Sequence, residues 1–139
     1  MNTLSLGWSQ AQAKSALKRF RRLFAANLLL QSLVALICLF APGLGAWSTG
    51  IEPSQARPLL QVWGAMVVVV SALQVLAWRD PIRQRFHVAI AIGIRVWMVL
   101  VYLSLGLDFW RFAAFDAIFA VALAVLFHRA LIAELQTRP

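Results

Sequence analysis

Apolar residues in this chain fall in long uninterrupted runs rather than in the alternation of a half-buried strand or the single stripe of a soluble amphipathic helix. Four such runs, about residues 23–41, 59–78, 86–107 and 110–127, are each close to the ~20 residues a helix needs to cross a ~30 Å hydrocarbon core. The breaks between them carry turn chemistry. Pro42-Gly43 closes the first run, since proline lacks a backbone donor and glycine accepts the positive φ that often ends a helix. Asp80-Pro81 opens the third, with the aspartate predicted as N-cap and the proline at the first helical position. Gly106-Leu107-Asp108 leaves room only for a tight turn, so the third and fourth helices must be antiparallel neighbours. The pattern predicts an all-α fold: a transmembrane four-helix bundle, antiparallel and up-down-up-down. Three regions follow: a basic interfacial segment over 1–22, the bundle over 23–128 and a short tail over 129–139. The Gly-, Pro- and Ser-rich stretch from Pro42 to Pro58 reads as the longest loop, with room for a short turn around Trp47.

Composition strengthens this picture. Of 139 residues, 62% are hydrophobic and only 13% charged, with a mean hydropathy of +0.78; soluble domains are about half apolar and about a quarter charged. A net charge of +8 in a soluble protein would suggest nucleic acid. Here the cations instead mark the ends of spans. Lys14, Lys18, Arg19, Arg21, Arg22, Arg79, Arg83, Arg85, Arg129 and Arg138 belong to the N-terminus, the middle turn and the C-terminus, whereas the other two connections hold Arg57 and Arg111. The positive-inside rule then places both termini in the cytoplasm and makes anionic membrane lipids, not nucleic acid, the partners of this charge. Trp47, Trp63, Tyr102 and Trp110 fall near one edge and Trp8 and Trp78 near the other, as an aromatic belt requires.

Charged and polar residues inside the runs are the candidate chemistry. Arg95 lies about 13 Å from the inner end of its span by helical rise, Gln31 about 12 Å from the inner end of its own, and Asp116 about 9 Å from the outer edge. An Arg95–Asp116 ion pair between neighbouring helices is predicted, because either charge alone would cost ~2.5–3.5 kcal/mol on insertion scales. Asn27 and Gln31 are four apart and share a helix face, and Asn27 and Gln74 form a second polar layer nearer the basic side. These five residues either hold the helices together or offer an anion site for a carboxylate, phosphate or quinone-like oxygen. His87 and His128 fall at similar depth, where two imidazoles across a bundle can hold haem iron, but interfacial histidines are ordinarily headgroup contacts. Small residues Gly64, Ala65 and Ala72 predict a close-packed seam on the second span. Cys38 is alone, which excludes an internal disulfide. No serine–histidine–acid set, phosphate loop or metal-ligand spacing is readable, so the expectation is a protein that is not an enzyme and needs no cofactor.

The run Gln74-Val-Leu-Ala-Trp-Arg-Asp-Pro-Ile-Arg-Gln-Arg85, a following helix with a mid-membrane basic residue, and Phe115-Asp116-Ala-Ile-Phe119 together resemble a group of small bacterial four-helix membrane proteins, distantly like the DoxX-type fold. The resemblance covers the second to fourth spans. It implies an accessory or scaffold role beside a larger membrane enzyme; the overall expectation is a bacterial inner-membrane protein with a larger membrane-protein partner or a homo-oligomer as its assembly. It carries over no site residue.

Overall fold

The computed structural model describes residues 9–49 and 53–137, and among these no strand occurs. Helix α1 spans Gln10–Phe40, α2 Pro42–Thr49, α3 Pro53–Arg79, α4 Arg85–Leu105 and α5 Trp110–Thr137, with a single 3-10 turn at Leu107–Phe109. Stretches Gln10–Phe40, Ala56–Arg79, Arg85–Leu105 and Leu107–Thr137 are long and apolar enough to cross a membrane. The predicted all-α four-helix bundle is what the chain adopts. Its outer surface is apolar at almost every level: Leu29 is 72% exposed, Leu59 73% and Trp97 65%. Such a surface is costly in water and ordinary in lipid, so the chain is a multi-pass membrane protein.

Contacts run around the bundle in chain order. Helix α1 packs on both α3 and α5, α4 packs on α5, and the α3–α4 seam is much thinner. The α1–α3 pair is antiparallel: Arg21 meets Trp78, Gln31 meets Ser71 and Leu39 meets Gln61, so positions rise in one helix as they fall in the other. Their closest approach is at Gly64, where a Cβ would stand 2.6 Å from the Ala35 carbonyl oxygen and 3.0 Å from the Leu39 nitrogen. The predicted small-residue seam therefore holds at Gly64, but it continues through Ser71, Gln74 and Ala77, all buried, while Ala65 and Ala72 face outward. Seven- and three-residue steps keep a helical position on one face, so Gly64, Ser71, Gln74 and Ala77 line the seam, while Ala65 and Ala72, one position further along, share the neighbouring outward face.

Several boundaries differ from the sequence reading, each for a local reason. The basic residues up to Arg22 do not form a separate interfacial piece; from Gln10 onward they are continuous with the first span. A capping box starts the helix, with the Ser9 hydroxyl accepting from the Gln12 N–H at 3.2 Å and the Gln12 side chain accepting from the Ser9 N–H at 2.9 Å. Ala13 and Phe20 are buried, as are Ala130 and Ala133 of α5, and the Phe20 and Phe127 rings lie 5.3 Å apart. Helix α5 likewise runs past residue 127 to Thr137. At about 1.5 Å per residue, α1 and α5 exceed the ~30 Å of hydrocarbon and project together from the basic end.

The predicted long loop is largely helical. Pro42 ends α1 because it has no N–H to donate and begins α2, which folds back so that Gly45 approaches Cys38 and Leu60. Helix α3 begins at Pro53 and continues through Pro58. Asp80 is not the N-cap of α4: its carboxylate accepts from the Arg83 N–H at 3.2 Å, its carbonyl accepts from the Gln84 N–H at 2.9 Å, and α4 starts only at Arg85 after this turn. Gly106, with φ +117°, supplies the left-handed position that turns α4 into the 3-10 segment. Of the aromatic residues expected near the span edges, Trp47 and Trp110 are exposed and Tyr102 packs against Phe109 and Phe112; Trp8 lies outside the described residues.

Candidate functional site

Each of the four spans contributes one polar side chain to a single layer of the interior. Helix α4 presents Arg95, α5 Asp116, α1 Gln31 and α3 Ser71. Arg95 Nη1 binds the Asp116 carboxylate, and the two side chains are only 9% and 13% exposed. Arg95 Nη2 donates to Gln31 Oε1 at 3.1 Å, Gln31 Nε2 donates to Ser71 Oγ at 2.9 Å, and Ser71 Oγ donates to the Val67 carbonyl at 2.7 Å. The chain ends on a backbone oxygen one turn back in α3. From Arg95 through Gln31 and Ser71 to Val67 the sense of donation never reverses, so each bond polarises the next in a low-dielectric setting.

Aromatic rings complete the setting of the guanidinium. Its central carbon lies 5.3 Å from the Phe119 ring centroid and 5.9 Å from that of Phe115, and these two rings are 4.9 Å apart. Cation–π attraction of this kind is worth ~0.5–2 kcal/mol, more where water is excluded. One turn of α5 therefore supplies the carboxylate and two ring faces together. Sequence reasoning quoted Phe115 and Phe119 without assigning them this place, and it missed Ser71 as a hydrogen-bonding partner. The readable signal for the rings was their i, i+4 spacing about Asp116; for Ser71 it was the antiparallel register with Gln31.

Depth counting had put Asp116 some 8 Å further out than Arg95. The structure places them in contact: the chain turns back at Gly106 and the 3-10 segment, and Arg95 lies eleven residues before that glycine and Asp116 ten after it.

The second polar layer is different in kind. Asn27 and Gln74 are 2% and 8% exposed, one turn toward the basic end from Gln31 and Ser71, yet Asn27 Oδ1 and Gln74 Oε1 have no hydrogen-bond partner. The structure brings both into the interior without joining them to the Arg95 chain. His87 and His128 stay outside it altogether, as both are exposed. A haem held through two axial imidazoles needs them turned inward across the bundle, and these two do not fit that arrangement. No cluster of three or more His, Cys, Asp or Glu side chains suited to a metal ion occurs among the described residues.

Fold and site together define a polytopic α-helical membrane protein with a buried, internally compensated ion pair. Comparison with protein-family models, curated proteins and solved structures found no match, so nothing there supports the DoxX-type resemblance or assigns a role to any residue.

Proposed function

We propose that this chain is a non-catalytic accessory, scaffold or assembly subunit of a larger complex in a bacterial inner membrane, with both termini cytoplasmic. The observation that supports this reading is the occupancy of Arg95. Its two terminal nitrogens are engaged by Asp116 and Gln31, and its faces by Phe115 and Phe119, so the strongest interior group is committed to holding helices α1, α4 and α5 in register. The orientation rests on the basic residues gathered at the Arg79–Arg85 end. Extraction in a mild detergent followed by mass spectrometry tests the proposal: a larger membrane protein at fixed stoichiometry supports it, and a monodisperse lone chain contradicts it.

A second reading, a small-molecule, lipid or quinone binder at Arg95 and Asp116, draws on the unpartnered oxygens of Asn27 and Gln74, which can accept from a donor entering beside the pair. Arg95→Ala separates the two. Loss of the folded bundle favours the structural role, whereas loss of ligand from a bundle that still folds favours the binder.

A further inference from the structure

At the basic end, the face of α1 that follows Lys14, Leu17, Lys18, Arg21, Arg22 and Ala25 meets Trp78 of α3 in a groove of about 490 Å³. We propose that this groove seats the phosphate of an anionic phospholipid, with the indole and the small apolar side chains lying against its glycerol and upper acyl region. The inference is independent of the accessory role, since it concerns a different face of the molecule.

Three features point to a bound anion. First, Lys14, Lys18 and Arg22 repeat at four-residue intervals with Arg21 beside them, and no carboxylate pairs with any of the four among the described residues. Like charges stacked at i, i+4 oppose helix formation by a few tenths of a kcal/mol each, and Lys14 also lies near the positive end of the α1 dipole. An anion in the groove reverses the sign of both effects. Second, Arg21 is held in place. Trp78 Nε1 donates to the Arg21 carbonyl oxygen at 3.0 Å, and the Arg21 guanidinium carbon stands 5.3 Å from the centre of the Trp78 ring. This fixes both the backbone and the head of the residue at the groove wall while leaving guanidinium N–H groups free to donate. Third, the groove lies where the polar part of α1 gives way to its apolar run, at Arg22-Leu23, the level at which phosphates and tryptophans sit in a bilayer.

Its chemistry favours a lipid over a soluble phosphate. Leu17, Ala25 and the indole give the groove an apolar wall, and the surface beyond it continues into Leu29, an exposed hydrophobic side chain one turn further along α1. A hydrophilic anion would satisfy the cations and leave that wall wet, whereas an amphiphile covers both. The paired cations and the planar, fork-shaped Arg21 match a tetrahedral phosphate.

Native mass spectrometry of the whole protein tests this, with phosphatidylglycerol and phosphatidylcholine of identical chains offered together. The wild type is expected to retain phosphatidylglycerol at least about twentyfold over phosphatidylcholine, since two basic groups near an anionic headgroup contribute about fivefold each. The Lys18→Gln/Arg22→Gln pair should abolish that preference. Arg83→Gln/Arg85→Gln removes the same charge at the same end but outside the groove, and should leave it within about twofold. Circular dichroism on both pairs confirms that the helices persist. Equal losses in the two pairs would overturn the proposal in favour of diffuse surface charge, and displacement of the lipid by glycerol phosphate at constant ionic strength would overturn it in favour of a soluble ligand. Trp78→Phe, which keeps a ring but removes the bond to Arg21, should weaken retention several-fold; an unchanged preference would contradict the role given to that bond.

Discussion

Arg95 and Arg21 are both arginines held over aromatic rings, yet the molecule treats them in opposite ways. Around Arg95, helices α1 and α5 supply a carboxylate, an amide oxygen and two ring faces, and the charge is compensated inside the chain. Around Arg21 the chain supplies an indole and three more cations and, among the described residues, no paired carboxylate. The difference teaches how to sort charges in a membrane protein. A charge whose partners are internal contributes to the fold, because removing any partner leaves the rest buried and unpaired; a cluster whose partners are missing is addressed to something outside the chain.

The largest effect should come from breaking the compensated side. Arg95→Leu leaves the Asp116 carboxylate buried against Phe115 and Phe119, and unfolding in mixed detergent is expected to show a loss of ~3–5 kcal/mol. A stability close to wild type would place Arg95 with the unpartnered cations instead. Next in size is Gly64→Val. Its side chain would run into the Ala35 carbonyl and the Leu39 backbone, neither of which can move without parting α1 from α3, so a melting experiment should report a cost of ~1–3 kcal/mol.

Smaller effects sharpen the contrast between the two polar layers. Gln31→Leu removes the link between Arg95 and Ser71, and equilibrium unfolding should register ~0.6–2 kcal/mol, the usual range for hydrogen bonds between membrane helices. Asn27→Leu, four residues earlier on the same face, deletes an oxygen that has no partner and should be neutral or slightly stabilising. If the two substitutions cost the same, the layers do not differ as described. Least of all should be the effect on stability of Lys18→Gln/Arg22→Gln, within ~0.5 kcal/mol, because both side chains are exposed and unpaired.

Much of the architecture was legible from hydropathy alone, since lipid imposes run lengths that water does not. The Arg95–Asp116 pair was legible too: two opposite charges in adjacent antiparallel spans have few alternatives to each other. What the sequence concealed was finer geometry. The start of α1 at Gln10 is written in Ser9-Gln10-Ala11-Gln12, but the cations that follow carry the pattern of a separate interfacial segment. Helix α2 was hidden because Pro42, Gly43 and Gly45 argue for a loop, and it forms by packing on α1 and α3 rather than by propensity. Asp80-Pro81 carried a genuine capping signal that the chain spends on a turn preceding the helix. Ser71 could not be distinguished from any other small polar residue until the register of α3 against α1 was known.

A double-mutant cycle between Arg95 and Asp116, measured by reversible unfolding in lipid–detergent mixtures, tests the central claim most directly. The account predicts that Arg95→Leu and Asp116→Leu are each strongly destabilising, while the double variant recovers most of the loss, a coupling of at least ~2 kcal/mol. Two single effects that simply add, or an Arg95→Leu protein as stable as the wild type, would contradict it.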